Sequence, residues 1–178
     1  MAEQRLGAMQ DFTMRITAVI DHAAREAPER EIVSRWADGS ETRTNWAGIR
    51  RDALKMAQAL LALGLKKGDK VASLAMNHAR HLVSWYGVAG MGGVLHTVNP
   101  RLFDDQLEYI VNHAEDRVLI YDAAFQPIVD RMKDRWKTVE HYICYDSGAY
   151  APAFEEWIGA QDGDFEWMPG DERDPCMI

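Results

Sequence analysis

Cysteine is scarce. Cys144 and Cys176 are the only two in 178 residues. A secreted scaffold of this size would carry more, because small secreted domains lean on disulfides. Two reduced thiols in a cytoplasm are expected. Basic charge is also short: 20 Lys and Arg stand against 28 Asp and Glu, a formal net charge of −8. A nucleic-acid binder shows a basic face, and docking on anionic membranes needs basic clusters. Neither class is expected. Long apolar runs are missing too. The longest uncharged stretch, Leu82 to Thr97, falls short of the ~20 residues that a membrane-spanning helix needs. Gly87, Gly90, Gly92 and Gly93 also interrupt it. The first residues, MAEQRLGAMQDF, mix charges among apolar residues, unlike a secretory leader. No Gly-rich phosphate loop with a Lys is visible. Nor is a Ser-His-Asp set with a plausible elbow, or a Cys/His set at metal spacing.

What remains is the pattern of a soluble α/β protein of one domain. Thr17 to Ala27 reads as an amphipathic helix with Ile16, Val19, Ile20 and Ala23/Ala24 on one side. Pro28 ends it. Glu31 to Trp36 and Glu41 to Thr44 read as a hairpin around Ala37-Asp38-Gly39-Ser40, whose Asp-Gly pair marks a turn. Asn45 is a natural N-cap for a helix beginning at Trp46. Ile49, Ala53, Met56, Leu60 and Leu63 give that helix an apolar face, and Gly64 closes it.

From there strands and helices alternate. Val71–Met76, Val94–Val98, Val118–Tyr121 and His141–Tyr145 read as strands. Ala79–Met91, Asp104–His113 and Ala124–Arg135 read as helices. Short apolar runs separated by helices predict a mainly parallel sheet flanked by helices on both faces. Ala151 to Ala160 reads as a short helix in an acidic tail, and the bland expectation for that tail is a solvated segment.

In an open parallel sheet ligands sit beyond the carboxyl ends of the strands. Here those ends are Met76-Asn77-His78, Thr97 to Arg101, Tyr121-Asp122 and Tyr145-Asp146. Asn99-Pro100 forces a sharp exit from its strand and leaves Arg101 near a helix start, where backbone N–H groups favour an anion. Arg101 has two readings: a guanidinium gripping a phosphate, or a surface residue paired with Asp104 or Asp105. The four glycines close a helix before a strand, so they are not a dinucleotide fingerprint. They are expected to allow tight helix-to-strand packing. His78 and His81 share a predicted helix face without a third metal ligand, and no metal site is expected. His113 suits a helix C-terminus. Cys144 reads as a buried, inert thiol. Asp104 and Asp105 suit a helix start, and Asp116 and Asp122 read as turn residues.

Three runs carry a resemblance. They are Lys67-Gly68-Asp69-Lys70-Val71 followed by Asn77; His96-Thr97-Val98-Asn99-Pro100-Arg101-Leu102-Phe103; and Asn112-His113-Ala114-Glu115-Asp116. Together they resemble the N-terminal part of the AMP-forming acyl-CoA synthetases, in the branch of the medium- and long-chain fatty-acyl-CoA ligases. That branch includes enzymes for short thioether acids such as methylthiopropionate. The likeness runs from about Val19 to Ile178. It implies that residues 1–178 are the N-terminal portion of the AMP-binding large domain. The phosphate loop, the rest of that domain and the small C-terminal domain would follow Pro175-Cys176-Met177-Ile178, which reads as the start of an apolar strand.

The implied parent activates a carboxylic acid with ATP and magnesium as an acyl-adenylate, then transfers it to CoA. In relatives the Arg matching Arg101 approaches the 3′-phosphate of CoA, with Asn99 beside it. No catalytic residue falls within this chain, which alone is expected to be inactive. A homodimer is implied for the parent. Two other expectations stay open: a non-catalytic flavodoxin-like binding module, and an adenylate-forming relative that does not use CoA.

Overall fold

The structure is a computed structural model and describes residues 12–36, 39–146 and 153–178. Helix α1 (Ile16–Glu26) comes first. Thr17 and Ile20, one turn apart, are its buried pair. Val19 was expected on that side but stands half exposed. Strands β1 (Glu31–Arg35) and β2 (Glu41–Asn45) pair antiparallel as a hairpin. Gly39 in its turn has φ +85°, a conformation that glycine adopts at little cost. Asp38 of the expected Asp-Gly turn lies outside the described residues.

Helix α2 (Trp46–Ala62) starts as the sequence predicts: Asn45 Oδ1 accepts from the Gly48 N–H at 2.8 Å. Ile49, Ala53, Met56 and Leu60 are buried along one face. Then come β3 (Lys70–Leu74), α3 (Ala79–Gly90), β4 (Val94–Thr97), α4 (Asp104–Ala114) and β5 (Asp116–Tyr121). The helix expected after β5 divides into a 3-10 turn (Ala123–Phe125) and α5 (Gln126–Met132), with Pro127 in the first turn of α5. β6 (His141–Cys144) and α6 (Phe154–Gly159) complete the series.

The four later strands form one parallel sheet in the order β4-β3-β5-β6. Alternation along the strands divides the core in two. Val71, Leu95, Val118, Ile120 and Ile143 face α1, α2, α3 and α6. Ala72, Leu74, Leu119, Tyr121 and Cys144 face α4 and α5. Both faces are covered, so the strands are buried on both sides and mainly apolar, with Ser73, His96 and Asp116 as polar residues taken into them.

The acidic tail is not a loose solvated segment. Its aromatic residues Trp157, Phe165 and Trp167 pack against the first core. The Trp167 indole N–H donates to Asp21 at 3.1 Å. The Met168 N–H donates to the Gly90 carbonyl at 2.8 Å. Acids of the tail find partners: Asp162 accepts from Gln58 at 2.7 Å, and Asp174 pairs with Lys67 at 2.7 Å. The tail ends beside β4, where Met177 bridges Leu95 in parallel. Of the expected strand start at Pro175 to Ile178, only Cys176 and Ile178 exchange backbone hydrogen bonds with β4, around this single bridge.

The glycines serve more contacts than helix-to-strand packing. A Cβ on Gly87 would lie 2.9 Å from Met56 of α2, and one on Gly90 would lie 2.2 Å from the Trp167 ring. Gly93 alone answers the original expectation, close to the Asp69 carbonyl at the start of β3.

Candidate functional site

The carboxyl ends of β4, β3 and β5 lie side by side, because β3 sits between the other two. Asn99 and Arg101 occupy the loop after β4. Asn99 Oδ1 accepts from the Arg101 N–H at 3.0 Å, and the Asn99 carbonyl accepts from Leu102 at 3.3 Å. This side-chain turn is what an Asn before proline supports. Arg101 is exposed. Its expected surface partners are taken: Asp104 pairs with Arg131 at 2.9 Å and Asp105 with Arg135 at 2.7 Å. Among the described residues the Arg101 guanidinium has no ion pair. The nearby acids at the start of α4 are balanced by Arg131 of α5 and by Arg135 just after it, rather than by Arg101.

The loop between β3 and α3 is held from below. Asp122, directly after β5, uses both carboxylate oxygens. Oδ2 accepts from the Met76 N–H at 2.6 Å, and Oδ1 lies 2.8 Å from His78 Nε2. The side chains of His78 and Asp122 are 1% and 6% exposed. His78 Nδ1 accepts from the His81 N–H at 3.1 Å. That acceptor role leaves the ring proton on Nε2, donated to Asp122. His78 is therefore the N-cap of α3 and not, with His81, part of a shared helix face. Asp122 is no simple turn residue. The cap is local, three residues from His81, whereas the role of Asp122 depends on a partner 44 residues away in sequence.

His81 turns instead to Ser73, with Nε2 3.1 Å from its hydroxyl, and burial holds its pKa below the ordinary histidine value. Tyr145, after β6, sets its ring edge-on to His78 at 4.9 Å and shares a hydrogen bond with Ser84 at 2.7 Å. Burial raises its pKa. Asp146 pairs with Arg80 at 2.8 Å, and Arg80 lies over the Trp36 ring at 4.8 Å.

Two clefts of about 680 Å³ each open around this loop. One is mostly apolar, with Ile32, Leu82 and Trp85 in its walls. The other holds Trp36, Met76, Arg80 and Asp146. Asn77 and His78 line both.

The remaining sequence candidates sit away from this edge. Asp116, read as a turn residue, is the fully buried first residue of β5. It meets His96 Nδ1 at 2.7 Å across β3. Burial raises its pKa, and the bond to His96 opposes that rise. His113 stacks on Tyr109 at 5.2 Å in the last turn of α4. Cys144 is fully buried and burial raises its thiol pKa, as expected of an inert residue. Among the described residues no cluster of three His, Cys, Asp or Glu could hold a metal. Among them too, no helix is long and apolar enough to cross a membrane.

The parallel sheet with its flanking helices matches a known group. A family model described as AMP-binding enzyme matches residues 20–178. The chain belongs to the AMP-binding enzyme family. It is 45% identical over 176 residues to a 3-methylmercaptopropionyl-CoA ligase of Ruegeria lacuscaerulensis, covering 94% of this chain and 33% of that one. A medium-chain-fatty-acid–CoA ligase of Ectopseudomonas oleovorans is 37% identical, covering 97% of this chain and 33% of that one. Among solved structures, the N-terminal domain of FACL13 from Mycobacterium tuberculosis superposes with a TM-score of 0.80 at 25% identity. That match covers 93% of this chain and 41% of the other. The chain spans about a third of the length of the curated relatives it matches.

Proposed function

We propose that this AMP-binding family member is the N-terminal portion of an ATP-dependent, AMP-forming acyl-CoA ligase. The reaction has two halves. The carboxylate of a fatty or related acid attacks the α-phosphorus of ATP, giving an acyl-adenylate and releasing pyrophosphate. The CoA thiol then displaces AMP, giving the thioester. The observation that carries this reading is the family match across residues 20–178, joined to relatives that are named CoA ligases. A short thioether acid or a fatty acid is the favoured substrate, because the relatives at 37–45% identity are named for acids of those two kinds. A free-standing flavodoxin-like module and an adenylate former without CoA are not favoured by those relatives.

Arg101, with Asn99 shaping its turn, is the group we assign to a phosphate of CoA. It stands exposed just past a parallel strand, its guanidinium without an ion pair among the described residues. Magnesium would travel with the nucleotide phosphates, and the described residues offer no cluster for it. We place the enzyme in the cytoplasm, as fractionation of cells would check, and as a homodimer. Sedimentation of the full-length protein as a strict monomer at micromolar concentration would defeat the dimer.

The deciding experiment measures AMP release with ATP, CoA and a series of acids from methylthiopropionate to long-chain acids. The full-length protein should turn over at least one of them, and the 178-residue chain alone should turn over none. An inactive full-length protein across the series would sink the ligase reading.

A further inference from the structure

The β3–α3 loop has few supports of its own. It lies between β4 and β5 at the carboxyl edge, divides the two clefts, and exposes Met76 to 58%. What fixes it is a buried carboxylate from the neighbouring strand. One oxygen of Asp122 takes the Met76 N–H and the other takes the His78 ring N–H. Both oxygens are committed to the loop, and the opposite nitrogen of the same imidazole caps α3. Such charge-assisted, desolvated bonds hold geometry more firmly than neutral ones. The arrangement links the end of β5, the loop and the start of α3 into one rigid piece.

We propose that Asp122 and His78 are positioning residues for the thiol-transfer half-reaction, holding Met76 and Asn77 as the wall along which CoA lies beside Arg101. This rests on the ligase reading above. Neither residue touches the reacting atoms, and each acts through the loop. The site is the strip between Arg101 on one flank and Asp122 on the other. On the ligase reading the loop serves the second half-reaction alone, so adenylation should proceed without it.

The two ring nitrogens of His78 have separate duties, so they can be separated by substitution. An Asn amide reaches about as far from the backbone as Nδ1. His78→Asn therefore keeps the cap, for which Asn is a preferred residue, and loses the link to Asp122. A Gln amide reaches about as far as Nε2. His78→Gln keeps a donor toward Asp122 and loses the cap. Asp122→Asn loses one of the two loop bonds, because its NH₂ must face a donor.

The test measures three quantities in the full-length protein: thermal stability, pyrophosphate exchange, and thioester formation against CoA concentration. His78→Asn and Asp122→Asn should raise the apparent KM for CoA by roughly ten- to a hundredfold, the scale of an ångström-level misplacement. Pyrophosphate exchange should stay near wild type in both. His78→Gln should keep the wild-type KM for CoA while lowering the melting temperature. Three results would overturn the proposal: an unchanged KM for CoA in His78→Asn and Asp122→Asn, an equal fall of both half-reactions, or a His78→Gln variant as impaired toward CoA as His78→Asn. A wild-type protein that forms adenylate but no thioester overturns the ligase reading and this inference with it. An active wild type with unaffected variants overturns this inference alone.

Discussion

Replacing Gly90 by Ala adds a single methyl at the last residue of α3. On the helix alone the change should help, by up to about 1 kcal/mol, because glycine is a poor helix former. The surroundings reverse that sign. The new Cβ would sit 2.2 Å from Trp167 Cε3 and 2.4 Å from Cζ3. Carbon atoms prefer ~3.5–4.0 Å, so the ring would have to withdraw by more than about 1 Å. It is not free to do so. Its indole N–H is tied to both oxygens of Asp21 at 3.1 Å, and the next residue donates to the Gly90 carbonyl at 2.8 Å. Overpacking of this kind costs about 1–3 kcal/mol. The expected net loss is roughly 1–2 kcal/mol, a melting-temperature drop of about 2–8 °C for a chain of this size.

Trp167→Ala removes the obstacle. In that background Gly90→Ala should be neutral or stabilising, so the two substitutions should couple by about 2 kcal/mol. Urea unfolding of the four proteins of this cycle, read as midpoints at constant slope, measures it. If Gly90→Ala stabilises the otherwise unaltered chain, or costs the same in both backgrounds, the contact does not act as described.

Arg101→Ala in the full-length protein should weaken CoA use by about ten- to a hundredfold, the worth of a charge-assisted contact. Pyrophosphate exchange should be nearly unchanged. A CoA dependence that does not move would return Arg101 to the status of a surface residue. Asp116 supplies a pH prediction. Its folded-state pKa is raised, chiefly by burial, so the folded chain holds that proton more tightly than the unfolded one. The group's contribution is present below the usual carboxylate pKa and is lost as pH rises through the raised value. The stability of the wild type relative to Asp116→Asn should therefore fall as pH rises across that range. Urea unfolding at stepped pH checks it, and a difference that is constant or rises with pH would contradict the burial argument.

Local chemistry made much of this fold legible. Asn45 capping α2, the buried stripe Ile49-Ala53-Met56-Leu60, and the four apolar strands of the parallel sheet all depend on residues a few positions apart. Strand ends fell within a residue or two for the same reason. The strand-end rule also brought Met76-Asn77-His78, Asn99–Arg101 and Asp122 to one edge, because β4, β3 and β5 are neighbours. What each residue does there was not legible. Asp122 and Asp116 looked like turn residues because nothing near them in sequence needs a carboxylate. Their partners His78 and His96 lie 44 and 20 residues away. Val19 followed the helical period yet faces outward, since only the packing of α1 on its neighbours decides which side is covered. The acidic tail read as solvated by composition, but its aromatic residues are drawn onto the first core, with Trp167 seated against Gly90. Periodicity and capping are properties of short segments and belong to the sequence alone. Buried hydrogen bonds between carboxylate and imidazole, and close approaches such as Trp167 on Gly90, exist only once distant segments are brought together, and the tertiary structure decides them.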